Sequence, residues 1–142
     1  MQIRPVKSVT ELESAYKFIE KTLQLPADHP RNIDFYRQQF TVHPNLLLVA
    51  TEKEVLFGVL LAIVEKDHIL IGELAVSPKA RGQGVGSKLL MAIEREAKSM
   101  GFAKILAGAR EEAEHFYLKC DYSPKLFIQA QGKNATKKLT NS

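Results

Sequence analysis

Three glycines fall within five residues in the segment Arg81-Gly82-Gln83-Gly84-Val85-Gly86-Ser87, between an apolar run that ends at Val76 and the strongest helical repeat in the chain. Glycine loses more conformational freedom on folding than any other residue, so such a cluster needs a compensating role. Close approach of the backbone to a ligand is one. Without Cβ atoms at the glycines, the N–H groups of Gln83, Gly84, Val85, Gly86 and Ser87 can converge on a phosphate, helped by the positive end of the helix that follows. Arg81 adds charge at the mouth, and Lys88 is placed to reach an outer phosphate. Two common phosphate loops do not fit. A P-loop requires Gly-x-x-x-x-Gly-Lys-Ser/Thr and a dinucleotide fingerprint Gly-x-Gly-x-x-Gly, whereas the spacing here is Gly-x-Gly-x-Gly. A plain strand-to-helix turn is the structural alternative.

The elements around this loop follow from periodicity. Gln2 to Pro5 reads as a strand, and Ser8-Val9-Thr10-Glu11 has the Ser-x-x-Glu form of a capping box that opens a helix carrying Leu12, Ala15, Tyr16, Ile19 and Leu23 on one stripe. Pro26 ends that helix. Pro30 sits where a first helical turn tolerates it, which predicts a second helix with Ile33, Tyr36 and Phe40 on its apolar face. Leu46 to Thr51 and Val55 to Val64, separated by Glu52-Lys53-Glu54, read as a hairpin. His68 to Val76 is almost wholly apolar, as in a central strand covered on both faces, and Glu73 is the carboxylate that interrupts it. From Gly84 to Met100 the positions Val85, Leu89, Ile93 and Ala97 recur every four residues, and Gly101 supplies a stop. Ala103 to Ala107 then reads as a strand, Ala113, Phe116, Tyr117 and Cys120 as one face of a helix, and Leu126 to Ala130 as a strand. The segment Gln131 to Ser142 is polar, with a weak strand signal from Asn134 to Thr140. The predicted class is α+β, or mixed α/β, with hairpins first and a strand-helix-strand-helix unit after them.

A chain of 142 residues suits one domain spanning 1–142, and a charged fraction of 25% beside 45% hydrophobic residues suits a packed globular core. One cysteine cannot form an internal bridge, and no signal segment opens the sequence, so the cytoplasm is the expected compartment. The apolar runs are too short to span a bilayer, and no membrane association is expected. The net charge of +4 is uneven: residues 77 to 142 hold 12 basic and 6 acidic residues, so the anion belongs with that half. Nucleic-acid binding is not expected, because no arginine-rich or aromatic-interleaved stretch accompanies the charge.

The stretch Arg81-Gly82-Gln83-Gly84-Val85-Gly86 resembles the signature Gln/Arg-x-x-Gly-x-Gly/Ala of the GCN5-related N-acetyltransferase (GNAT) family. Glu73-Leu74-Ala75-Val76-Ser77-Pro78-Lys79-Ala80 resembles the strand and loop before it. Ala113-Glu114-His115-Phe116-Tyr117-Leu118-Lys119-Cys120-Asp121-Tyr122 is similar to a second landmark, often Ala-x-x-Phe-Tyr-x-Lys-x-Gly-Phe, in the right order. The resemblance implies the acyl-CoA N-acyltransferase fold, a central mixed, twisted sheet flanked by about four helices. It also implies acetyl-CoA as co-substrate, with the backbone of Leu74, Ala75 and Val76 meeting the pantetheine and the 81 to 87 loop the pyrophosphate. The reaction it implies is direct transfer of acetyl to a primary amine of a small molecule or peptide in a ternary complex. An acyl-CoA-binding sensor of the same fold with little catalysis is the alternative.

Amine attack on a thioester needs a neutral amine, hence a proton acceptor. Glu73 is the leading candidate, as catalytic base or substrate-binding group, because an acid in an apolar strand is costly unless functional or paired. Its structural alternatives are a solvent channel or a pair with Arg31, Arg37 or Arg110. The resemblance gives Tyr117 the role of acid toward the departing thiolate. His68 and His115 are candidate bases by residue type, but helical spacing turns His115 about 100° from Phe116 and offers it no partner visible in sequence, so a surface histidine is the expected reading. Cys120 lies on the apolar stripe, and no Cys/His pair has zinc-ligand spacing, so neither a metal nor a cysteine nucleophile is expected. Asp121 stands where the landmark has glycine, which the left-handed conformation tolerates. The acceptor and the oligomeric state, a homodimer included, stay open.

Overall fold

The computed structural model describes residues 1–109, 111–129 and 132–138. Two compact units form: Met1–Leu61 with Glu73–Ile93, and Ala62–Gly72 with the described residues from Glu94 onward.

In the first unit, β1 (Gln2–Pro5), β2 (Leu47–Glu52) and β3 (Val55–Val64, whose first seven residues belong here) pair antiparallel. The β2–β3 turn is tight, with Lys53 and Glu54 both at positive φ (51° and 65°), as a two-residue hairpin turn of matching twist requires. Helix α1 (Val9–Leu23) begins at the predicted cap: Ser8 Oγ accepts from Glu11 N–H at 3.1 Å. The Glu11 carboxylate reaches back to Lys7 N–H at 3.0 Å, one residue before the cap, and takes both guanidinium nitrogens of Arg4 at 2.6 and 2.7 Å. The hydrogen bonds from Arg4 hold its carboxyl below the usual range, against some burial. Leu12, Ala15 and Ile19 are fully buried, as their spacing predicts.

Helix α2 (Ile33–Val42) starts later than Pro30 suggests. Asn32 is its cap, with Oδ1 accepting from Phe35 N–H at 3.1 Å, so Pro26 to Arg31 is a connecting loop. The later start of α2 decides what the loop can reach. Leu46 likewise leaves the predicted strand for a 3₁₀ turn, Pro44–Leu46.

Strand β4 (Ile69–Val76) crosses from one unit to the other, Glu73–Val76 lying in the first. It is not equally covered on both faces. Ile69, Ile71, Glu73 and Ala75 are buried while Leu70, Gly72, Leu74 and Val76 are half-buried, so Glu73 is in register with the core. Helix α3 (Val85–Ser99) ends at Gly101, φ +89°, with Phe102 N–H bonded to Ala97 C=O at 3.0 Å and Gly101 N–H to Lys98 C=O at 2.9 Å. Its start packs where β3 carries Gly58: a Cβ there would lie 2.9 Å from Leu89 Cδ1 and 3.0 Å from Val85 Cγ1.

In the second unit, Ile69–Ile71 of β4 pair parallel with Ile105–Ala107 of β5 (Lys104–Ala109). Strand β5 pairs antiparallel with β7 (Gly132–Lys138), and β7 with β6 (Ser123–Gln129). A last strand therefore forms, starting before Asn134. Helix α4 (Glu111–Lys119) closes on Asp121 at φ +69°, the left-handed conformation expected of it. Ala130, most of the polar tail's ends (131 and 139–142) and Arg110, a predicted alternative partner of Glu73, lie outside the described residues. Among the described residues four α-helices accompany this mixture of antiparallel and parallel pairing, the predicted class. No helix among them is long and apolar enough to cross a membrane.

Candidate active site

The glycine loop has the backbone its sequence demands. Gly82 and Gly84 sit at φ +80° and +78°, a region L-residues with a Cβ enter at a cost, and a Cβ at either would meet nothing within 4 Å. Both glycines therefore present open space beside the first turn of α3, with Arg81, Gly82, Gln83, Gly84 and Lys88 exposed. Gly86 differs: it is buried and helical. The N–H groups of Val85 and Gly86 open the first turn of α3, in which Lys88 N–H bonds to Gly84 C=O at 3.0 Å. Gln83 N–H turns to Ala80 C=O at 3.4 Å, so it is the weakest member of the predicted set. The 3₁₀ turn Pro78–Ala80, capped by Ser77, leads into the loop, and Ser77 N–H bonds Phe57 C=O at 2.8 Å, tying the end of β4 to β3.

Glu73 is 5% exposed and heavily partnered. His29 Nε2 lies 2.8 Å from Oε1, Arg31 Nη1 lies 3.5 Å from the same oxygen, and Tyr36 O–H donates to Oε2 at 3.3 Å. Two of these arrive from the Pro26 to Arg31 loop and one from the buried face of α2. Burial, and then the negative charge of Glu73, push the Tyr36 phenol far up, so it is a permanent donor. Tyr16 of α1 packs edge-on against Tyr36, centroids 4.9 Å apart, and burial raises its phenol as well. Of the arginines considered from sequence, Arg31 is a partner and Arg37 is not: Arg37 pairs with Asp34 and Glu13 at 3.2 and 3.4 Å.

Sequence reasoning missed His29 and Tyr36. Tyr36 was legible only as a core aromatic, although a buried phenol needs a polar partner and a buried acid was at hand. His29 left one trace, its place beside Pro30 and Arg31 in a segment without hydrophobic period. His68 instead meets the exposed Asp67 at 2.8 Å, and His115 is exposed, as predicted.

In the second unit, Tyr117 is 5% exposed and lies edge-on to Phe116 and Tyr122, centroids 5.2 and 5.4 Å away. Burial, then Cys120, pushes its phenol up, so it holds its proton at neutral pH. Cys120 is half-buried rather than part of the sealed core. Among the described residues no group of three His, Cys, Asp or Glu side chains could hold a metal ion.

An exposed glycine-rich turn at a helix N-terminus thus follows directly on a strand that carries a buried acid. Residues 7–122 match the acetyltransferase (GNAT) family, and the chain belongs to it. The fold is shared with an aminoglycoside 6'-N-acetyltransferase solved with coenzyme A: TM-score 0.83 at 16% identity, over 100% of this chain and 99% of that one. A GNAT-family acetyltransferase from Staphylococcus aureus Mu50 gives TM-score 0.81 at 14% identity, over 98% and 99% of the two chains. The ribosomal-protein-S18-alanine N-acetyltransferase from Escherichia coli gives 0.72 at 15%, over 99% and 95%.

Proposed function

We propose that the chain is a single catalytic domain that transfers acetyl from acetyl-CoA to a primary amine of a small molecule or peptide, in a ternary complex. The observation that carries this reading is Glu73: a buried carboxylate held by a histidine, an arginine and a tyrosine, eight residues before an open phosphate cradle. A binding module has no need of such a proton-handling cluster. The acceptor class is supported by relatives of this fold whose substrates are a small-molecule amine and a protein alanine.

The residues present fit the co-substrate. Gly82 and Gly84 leave room for a pyrophosphate, the N–H groups at the start of α3 and the Arg81 guanidinium supply donors and charge, and the backbone of Leu74, Ala75 and Val76 is assigned to the pantetheine. Bound acetyl-CoA supplies an acyl carbon activated by a thiol leaving group. The Glu73 cluster takes up the proton of the attacking amine, and the Tyr117 phenol, protonated at neutral pH, delivers one to the departing sulfur.

Calorimetry on cofactor-stripped protein tests the first step. Saturable acetyl-CoA binding is expected, and its absence ends the reading. Gly84→Val, which forces a β-branched residue to φ +78° and fills the cradle, is expected to weaken binding by about ten- to a hundredfold. Thiol release across a panel of primary amines tests the second step. Tyr117→Phe is expected to slow turnover by roughly tenfold or more with cofactor affinity unchanged; equal rates would remove the phenol from the mechanism.

A further inference from the structure

Glu73 is poorly placed to touch an amine itself. Its side chain is 4% exposed, Oε1 is shared by His29 and Arg31, and Oε2 receives Tyr36 O–H. The ring of His29 is more open, at 18%. Its Nε2 faces the carboxylate at 2.8 Å, and among the described residues Nδ1 has no hydrogen-bond partner. Gln39 Oε1 is the single buried, unpartnered side-chain oxygen or nitrogen among those residues, so Nδ1 is a ring nitrogen that water or substrate can reach.

We propose that His29 is the group that meets the acceptor amine, and that Glu73 is the positioning residue behind it. This rests on the acetyltransferase reading above and sharpens it. A carboxylate accepting from Nε2–H fixes the ring orientation and the tautomer, leaving the Nδ1 lone pair outward, and stabilises the imidazolium once formed. As the amine nitrogen bonds to the acetyl carbon, one of its protons passes to Nδ1. The C–S bond breaks, its electron pair leaves on sulfur, the thiolate takes up a proton, and His29 releases its own to solvent. Arg31 is the opposing charge: at 3.5 Å from Oε1 it competes with His29 for the same anion. Among the described residues the other groups around the dyad include Tyr36 from α2 and, behind it, Tyr16 from α1, both neutral phenols, with Glu20 acting on Tyr16.

Two measurements decide it. The first is kcat/KM against pH for the wild type, His29→Gln and Glu73→Gln, with acetyl-CoA and either phenethylamine or an Ala-initiated peptide, whichever turns over faster. Glutamine at 29 keeps a donor toward Glu73, which favours folding. The expected result is that His29→Gln loses at least a hundredfold in rate and loses the acid limb of the profile. Glu73→Gln should keep that limb at a reduced rate, because the ring that takes the proton is still present. The crossed result, the limb kept in His29→Gln and lost in Glu73→Gln, overturns the proposal while leaving the acetyltransferase intact. Failure to bind acetyl-CoA, or absence of thiol release from the wild type, instead defeats the reading beneath it.

The second needs no turnover. Long-range proton–nitrogen NMR of the protein alone should show the neutral His29 ring protonated at Nε2 and bare at Nδ1, with that preference lost in Glu73→Gln. A ring protonated at Nδ1 would leave no outward lone pair and end the proposal.

Discussion

Glu73→Gln is expected to cut turnover by roughly 10²–10⁴-fold, the range a positioned acid–base group contributes, with acetyl-CoA affinity within about twofold of wild type. Glutamine is nearly isosteric, so its amide can still accept the Tyr36 O–H bond and meet the His29 ring. What it removes is the negative charge. Arg31 then faces an uncharged amide at 3.5 Å, and the anion paired with the His29 ring is gone. Leucine at the same position would be a poorer test, because it strands the buried phenol without an acceptor at a cost of about 1–3 kcal/mol and mixes folding with chemistry. Steady-state kinetics at saturating acetyl-CoA, with thermal unfolding as the check on folding, reads the effect. A rate within threefold of wild type, in a folded protein, would mean that the carboxylate is structural.

The parts of this site that sequence reveals are those with a local rule behind them. The loop from Arg81 to Ser87 is visible because glycine at positive φ leaves a compositional mark, and α3 because Val85, Leu89, Ile93 and Ala97 repeat. Glu73 stands out because a charge in an apolar strand breaks a pattern. His29 and Arg31 obey no such rule. They lie in a loop whose length depends on which residue caps α2, and the cap is Asn32, identified by one side-chain hydrogen bond to Phe35 N–H rather than by Pro30. Starting the helix at Pro30 folds Arg31 into its first turn and hides the approach of both side chains to β4. The alternation of β4 was hidden for another reason: Leu70, Leu74 and Val76 are apolar yet only half-buried, so composition suggested two covered faces where burial shows one. Strand β7 pairs through its backbone with both β5 and β6, and a polar segment such as Gly132–Lys138 carries no hydrophobic period to announce that.

Gly58→Val is expected to destabilise the protein by about 3 kcal/mol, the largest loss of stability among single changes near the cradle. The position is not a turn. Gly58 lies inside β3, where glycine normally weakens a strand, and its use there reflects close approach of α3. A Cβ would stand 2.9 Å from Leu89 Cδ1, 3.0 Å from Val85 Cγ1 and 3.4 Å from Ala75 C=O. Leu89 can turn its terminal methyl aside, but Val85 is β-branched, buried, and the first residue of α3, so it yields only if the helix start moves. That start carries the Val85, Gly86 and Ser87 N–H groups assigned to the pyrophosphate. Urea unfolding should therefore show the loss of stability, and calorimetry on the folded fraction a weaker acetyl-CoA affinity, the two effects sharing one displacement. A double-mutant cycle isolates the cause. Gly58→Ala and Leu89→Ala should each destabilise alone, and together by about 1 kcal/mol less than their sum, because the Leu89 truncation vacates the space the new methyl needs. Additivity within about 0.5 kcal/mol would show that the glycine serves something other than the seating of α3.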